Sequence, residues 1–315
     1  MVTKIAVLDD YQGASDEFGS WSALSDCTVD AFRDHVVGQD LVDRLAGYDV
    51  VVAMRERTTL DRATIERLPN LKLIVTTGMG NVAIDVAAAA DRGVLVCGTG
   101  GIVSNTVELT WGLILALLRH IPAEDANVRA GGWQRTVGGD LQGRTLGLLG
   151  LGRTGTAMAR VAAAFGMNVV AWSQNLTAEA AAERGATYVS KDDLFSGADV
   201  LSVHLTLSAR TRGLVGAAEL AQMRPTAVLI NTSRGPIVDE AALIGALTTN
   251  QLAGAALDVF DVEPLPLDHP LARLRNVVLT PHIGYVTERC YRIFYDEIVE
   301  DIAAWLTGAP VRVLT

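Results

Sequence analysis

Nine short runs of mostly apolar residues, separated by helical and often alanine-rich stretches, constrain this chain more than any other feature. They fall at 5–8, 50–53, 73–76, 146–149, 169–172, 200–203, 228–230, 254–257 and 277–279. The runs are nearly continuous in apolar residues and do not alternate. That is the pattern of parallel strands covered by helices on both faces. Helical stretches lie between most of them, for example 154–165 and 239–247. Strand–helix alternation predicts an α/β doubly wound fold. At about 150 residues per domain, 315 residues suggest two such domains. No internal repeat, low-complexity tract or long linker interrupts the pattern.

One segment reads as a passage between domains. Cys97-Gly-Thr-Gly-Gly-Ile-Val is glycine-rich, and residues near 98–104 form the expected crossing. Asn105-Thr-Val-Glu108 then resembles a capping box with Asn105 as the cap. A helix is expected to run to about His120, with Pro122 as its stop. It is apolar nearly all round, through Val107, Leu109, Trp111, Leu113, Ile114, Leu115, Leu117 and Leu118. A helix apolar on every side should be buried on every side. A second subunit is the expected cover.

Composition removes several classes of function. Half the residues are hydrophobic and a fifth are charged, so the chain can build a core and is not disordered. Lys and Arg total 26 against 36 acidic residues, a formal charge of −10 with the acids scattered; a nucleic-acid footprint is not expected. The run 109–118 is too short to span a bilayer, so no membrane partner is expected. Cys27, Cys97 and Cys290 are far apart, odd in number and without a CxxC pair. They fit neither a disulfide framework nor a zinc site, and no metal is expected. They read as small buried hydrophobes. The opening MVTKIAVLDD reads as a first strand and not a secretion signal, and the expected compartment is cytoplasmic.

The strongest local motif is LGLLGLGRTG, with Gly150, Gly152 and Gly155 forming GxGxxG between an apolar strand and an alanine-rich helix. Gly150 permits the tight turn, Gly152 the approach of backbone to a pyrophosphate, and Gly155 close packing of helix on strand. Backbone N–H groups at the helix start, including Arg153 and Thr154, would hold the phosphates. An acid usually follows the next strand to bind the ribose hydroxyls. Here Ser173, Gln174 and Asn175 follow, with no arginine before Arg184. Without carboxylate or cation at the strand end, NAD and NADP are both expected to be used.

Three further segments lie at expected strand ends: NTSRGPIVD (231–239), LDVFDVEP (257–264) and LTPHIG (279–284). Ligands of open α/β sheets bind outside the carboxyl ends of the strands. Arg234 can pair with a substrate carboxylate and polarise a carbonyl. His282 can exchange a proton near neutral pH, and a neighbouring carboxylate such as Glu263 favours its charged form. His35, His120 and His269 read as surface or cap residues, and Trp111 as core or subunit interface.

With LGLLGLGRTG, INTSRGPIVDEAAL, ALDVFDVEP and LTPHIG in order and spacing, and TTGMGNVAID (76–85) upstream, the chain resembles the D-isomer-specific 2-hydroxyacid dehydrogenase family. The resemblance covers most of the chain. It implies a Rossmann nucleotide-binding domain, residues 101–284, inserted into a flavodoxin-like substrate domain, residues 1–100 and 285–315. It implies Arg234, Glu263 and His282 as the catalytic set. Cofactor contacts would come from Gly150, Gly152, Arg153, Thr154, Gly155, Ser173, His204, Thr232, Asp258 and Gly284. Substrate contacts would come from Met79, Gly80, Arg234 and Arg55, with Arg57 as an alternative register for the last. The sequence departs from the family pattern at Ser173, where Asp is usual, and at Ile102, where Asn is common.

The activity so implied is NAD(P)-dependent hydride transfer between a small 2-keto acid and a D-2-hydroxy acid, as in glyoxylate/hydroxypyruvate reductases or phosphoglycerate dehydrogenases. Relatives that oxidise formate carry Gln where Glu263 stands here. A second reading is an NAD(H)-sensing binding protein or corepressor on the same fold; the intact Arg234, Glu263 and His282 set argues against it.

Overall fold

The computed structural model describes residues 2–314. The chain divides into two compact units. One holds residues up to Ile102 together with those from Val286 onward, and the other holds Val103–Tyr285.

The first unit contains β1 (Thr3–Val7), β2 (Cys27–Ala31), β3 (Val50–Ala53), β4 (Leu73–Thr76) and β5 (Leu95–Gly98) in a parallel sheet of order β2-β1-β3-β4-β5. That order is the flavodoxin-like one, with its switch point between β1 and β3. β3 and β4 are buried at every residue, as central parallel strands require. The C-terminal helix Glu288–Leu306 belongs to this unit, and Val313 bridges antiparallel to Cys97 on β5.

The second unit holds β6 (Thr145–Leu149), β7 (Asn168–Trp172), β8 (Thr187–Tyr188), β9 (Val200–Val203), β10 (Val228–Asn231), β11 (Gly254–Leu257) and β12 (Val277–Leu279). Their parallel sheet has the order β12-β11-β10-β9-β6-β7-β8, a Rossmann arrangement with an added strand. Apolar clusters cover both faces. Val228 and Ile230 pack into one cluster and Leu229 into the other, as the two-residue repeat of a strand dictates. Leu149 pairs with Trp172 and with Val203, and Leu257 pairs with Asn231 and Leu279. The carboxyl ends therefore finish level. Gly150, Ser173, His204, Thr232, Asp258 and Thr280 emerge along one edge.

The nine expected strands are all present. Three more were not anticipated. β2 alternates in burial and lacks a continuous apolar run, β5 is masked by the glycines after it, and β8 has two residues, both exposed. Asn105 is not a helix cap. The helix begins one residue earlier, at Ser104, and runs to Leu118. Asn105 lies in its first turn, with Oδ1 accepting from the amide of Thr106. The helix ends as expected before Pro122, but Pro122 opens a second helix, Ile121–Arg129, through a left-handed His120. Pro is tolerated there because the first amides of a helix have no intrahelical acceptor.

The apolar helix also finds its cover differently from the expectation. Val107, Trp111, Leu113, Ile114, Leu117 and Leu118 are buried within this unit, and Leu109 and Leu115 are partly buried. Its own chain covers most of the surface that seemed to need a second subunit. His35 is likewise no surface residue; its Nδ1 pairs with the buried Asp9 at 2.8 Å. No helix of the described residues is long and apolar enough to cross a membrane.

Candidate active site

The turn after β6 carries the glycine motif. Gly150 has φ +106, in the left-handed region that favours glycine. A Cβ there would stand 2.6 Å from the carbonyl oxygen of His204. A Cβ on Gly155 would strike the carbonyl oxygen of Gly150. Gly152 caps the helix Arg153–Ala164, and nothing lies within 4 Å of where its Cβ would be. The turn thus packs tightly on its protein side and stays open at the helix N-terminus. This open, glycine-lined helix start fits a dinucleotide pyrophosphate. Arg153 and Thr154 occupy the first positions of that helix, and Ser173 follows β7 directly.

His204 follows β9, with Nε2 at 2.8 Å from the hydroxyl of Ser202. Burial pushes its imidazole down to about 4, so it is neutral at neutral pH. It does not have the character of an acid/base. Its main-chain amide donates to the carbonyl of Leu149, which ties β9 to the base of the glycine turn.

Arg234 lies in the loop after β10. Asn231 shapes that loop, with Oδ1 accepting from the amide of Ser233 at 3.0 Å and Nδ2 donating to the carbonyl of Arg234 at 3.0 Å. Thr232 meets Thr110 of the helix Ser104–Leu118, hydroxyl to hydroxyl at 2.8 Å. A Cβ on Gly235 would collide with the backbone of Phe260, so this loop runs against the segment that carries Asp258 and Glu263.

Asp258 is fully buried after β11. Its Oδ1 accepts from the Thr280 hydroxyl at 2.6 Å and the Ile283 amide at 2.8 Å, and its Oδ2 from the Gly284 amide at 2.8 Å. Burial raises its carboxyl above the usual range, against the pull of these donors. Asp258 thereby holds the Thr280 side chain before His282 and the two main-chain amides after it. His282 itself adopts φ +52. Its Nδ1 is 2.6 Å from Oε2 of Glu263, while Oε1 of Glu263 accepts from the Phe260 amide at 2.9 Å. A carboxylate only accepts, so Nδ1 carries the proton of that bond and Nε2 is the nitrogen left to exchange one. The imidazole is 13 % exposed and the Glu263 side chain 24 %, so the pair is shielded but reachable. Arg234, Glu263 and His282 thus stand on neighbouring loops after β10, β11 and β12.

In the first unit, Arg55 follows β3 with φ +52. Its amide donates to the hydroxyl of Thr77 at 2.8 Å and its Nη1 to the carbonyl of Thr77 at 3.1 Å. Arg57 goes elsewhere. It donates to the carbonyl of Asp9 at 2.8 Å, with its guanidinium carbon 4.8 Å from the centre of the Tyr11 ring. Arg55, and not Arg57, therefore belongs with the loop that presents the exposed Met79 and Gly80. Sequence reading missed Asn81, whose Nδ2 donates to the carbonyl of Arg55 at 2.6 Å and to the hydroxyl of Thr76 at 2.8 Å. It also missed Asn231 and Thr280. Each stands inside a quoted motif, and its hydrogen-bonding side chain was the available signal. No group of three or more His, Cys, Asp or Glu among the described residues could hold a metal ion.

Residues 111–284 match the family described as "D-isomer specific 2-hydroxyacid dehydrogenase, NAD binding domain". The chain is 39 % identical over 259 residues to a glyoxylate reductase of Aeropyrum pernix, covering 79 % of this chain and 77 % of that protein. It is 38 % identical over 277 residues to a D-3-phosphoglycerate dehydrogenase of Archaeoglobus fulgidus, covering 87 % of this chain but 52 % of that protein. The chain thus spans about half the length of that dehydrogenase. A solved phosphoglycerate oxidoreductase from Vibrio cholerae superposes with a TM-score of 0.93 at 37 % identity, over 98 % of this chain and all of that one. The chain belongs to the D-isomer-specific 2-hydroxyacid dehydrogenases, oxidoreductases dependent on NAD or NADP.

Proposed function

We propose that this chain interconverts a small 2-keto acid and the corresponding D-2-hydroxy acid, with His282 as acid/base, Glu263 as its orienting partner and Arg234 as the carbonyl-polarising cation. The observation that carries the assignment is the 2.6 Å bond from His282 Nδ1 to Glu263. In reduction, His282 gives the proton on Nε2 to the keto oxygen; in oxidation, it takes the hydroxyl proton back. Glu263 steadies the imidazolium and holds the ring in the orientation that aims Nε2. Arg234 donates to the same oxygen and to the substrate carboxylate, stabilising negative charge as it develops. The cofactor, when bound at the glycine turn, supplies the two electrons and the hydrogen that reduce the keto carbon. Its phosphates are assigned to the helix start at Gly152, Arg153 and Thr154, and its remaining contacts to Ser173, His204, Thr232, Asp258 and Gly284. Arg55 and the Met79-Gly80 backbone are assigned to the substrate.

The division of labour follows: substrate domain up to Ile102 and from Val286, dinucleotide domain between. A homodimer is part of this reading. Its support is the exposure of Ile121, Val128, Trp133 and Val137 in and after one helix, with Trp133 74 % and Val137 95 % exposed. A reducing cytoplasm is the assigned compartment, supported by three free cysteines.

The deciding experiment is a panel of glyoxylate, hydroxypyruvate, pyruvate, phenylpyruvate and 3-phosphohydroxypyruvate with NADH and with NADPH. Consumption of reduced cofactor with at least one keto acid is expected. Cofactor binding without turnover on any of them would leave a sensor or corepressor as the reading.

A further inference from the structure

The helix Ala178–Glu183 ends at Arg184, and Arg184 turns back onto the glycine turn. Its Nη1 donates to the carbonyl of Leu151 at 2.8 Å. Leu151 is the residue between Gly150 and Gly152. Ala181 of the same helix and Leu151 belong to one buried apolar cluster of this unit. Arg184 itself remains exposed. Its partner is a carbonyl, and no carboxylate among the described residues pairs with it, so an unneutralised positive charge stands at the rim of the turn.

In this fold the glycine turn takes the pyrophosphate, and the 2′ position of the adenosine ribose falls beside the end of the second strand. An acid there selects a free hydroxyl, and an arginine nearby accommodates a phosphate. Ser173, Gln174 and Asn175 offer hydrogen bonds at that strand end but no charge. We propose that Arg184, reaching back from the end of the following helix, supplies the missing cation and recognises a 2′-phosphorylated adenosine. The weak discrimination expected of the strand end alone then becomes a preference for NADP. A guanidinium suits this task because it offers several donors in a fixed plane and keeps its charge. The inference rests on the reading that the glycine turn binds a dinucleotide.

The test is calorimetric titration with 2′,5′-ADP and with 5′-AMP, two fragments that lack nicotinamide and so report binding apart from turnover. The wild-type chain should bind 2′,5′-ADP more tightly. Arg184→Gln should weaken 2′,5′-ADP by about ten- to a hundredfold, the scale of a charged hydrogen bond, and leave 5′-AMP unchanged. Arg184→Lys should keep part of the advantage, because charge remains while the planar fork is lost. Equal losses for both fragments, or no loss for either, would overturn the assignment. So would a wild-type chain that binds NADH and NADPH alike. A chain that binds none of these nucleotides would instead bring down the dinucleotide reading, and Arg184 with it.

Discussion

His282 and Glu263 sit on successive loops of one sheet edge, and their side chains meet at 2.6 Å through Nδ1 and Oε2. If that nitrogen is committed to Glu263, proton exchange falls to Nε2. His282→Ala should then lower turnover by about 10²–10⁴, the usual contribution of general acid–base catalysis. Dinucleotide affinity should persist, since the phosphates are assigned to another loop. Steady-state rates and a binding titration on one preparation check both halves. More than half of wild-type turnover, with chemistry rate-limiting, would remove His282 from its role.

Glu263→Gln tests the partner separately. The amide keeps an acceptor for Nδ1, whereas Glu263→Ala removes it. The alanine variant should therefore lose turnover by about tenfold or more, the scale of a lost hydrogen bond to a charged group, and the glutamine variant less. Steady-state rates of both variants are the measurement. Equal turnover in the two variants would contradict the pairing.

Ser173→Asp addresses cofactor choice from the opposite direction to Arg184. A carboxylate at the end of β7 should accept from ribose hydroxyls and repel a 2′-phosphate. The ratio of specificity constants should move toward NAD by about 1–3 kcal/mol, the scale of a hydrogen bond to a charged group. The two cofactors are compared by kcat/KM on the same keto acid. A wild-type enzyme that already favours NAD strongly would show that another feature excludes the phosphate.

Light scattering at micromolar concentration should give twice the chain mass. Trp133→Asp or Val137→Asp should shift it toward one chain mass, because a charge in a desolvated contact is left unpaired. A wild-type chain that scatters as a monomer throughout would refute the dimer.

Asp301 gives a prediction about stability. It is fully buried on the C-terminal helix, where Oδ1 accepts from Arg312 at 3.0 Å and Oδ2 has no hydrogen-bond partner among the described residues. Burial pushes its carboxyl up to about 7, although Arg312 opposes the rise. A raised folded value means the native chain holds a proton that the unfolded chain has lost. Stability is therefore forfeited as pH climbs from about 4 to about 7. Asp301→Asn keeps an acceptor for Arg312 and removes this loss. Unfolding should become harder by about 1–2 kcal/mol at pH 8 and change less at pH 5. Denaturant midpoints at the two pH values decide it; an equal effect at both would mean the charge is not the cause.

What the sequence disclosed follows from which forces act locally. Central strands such as β3, β4 and β9 are buried on both faces, so their apolar runs are unbroken and legible. β2 and β8 lie at sheet edges, where solvent permits alternation or exposure, and no run forms. Arg234, Glu263 and His282 stood out because each sits in a motif at a strand end. Asn105 misled because a cap depends on where backbone dihedrals change, and Asn, Ser and Thr all stood within three residues. The bearing of Arg184 on the glycine turn spans 33 positions of sequence and exists only once the helix before it packs. The burial of the helix Ser104–Leu118 within its own chain likewise depends on tertiary packing that an apolar count does not contain.

Two threonines on that helix couple distant stretches of chain. The Thr106 hydroxyl donates to the carbonyl of Gly284 at 3.0 Å, and Thr110 meets Thr232 one turn further on. Gly284 lies two residues past the histidine, and Thr232 two residues before the arginine. The helix therefore works as a tie-rod between the loop that carries His282 and the loop that carries Arg234. Neither loop can slide along the sheet edge without straining one of these anchors, so the spacing of His282 and Arg234 is a property of a rigid rod. Errors in that spacing are suppressed mechanically, by an element that contributes no chemistry of its own.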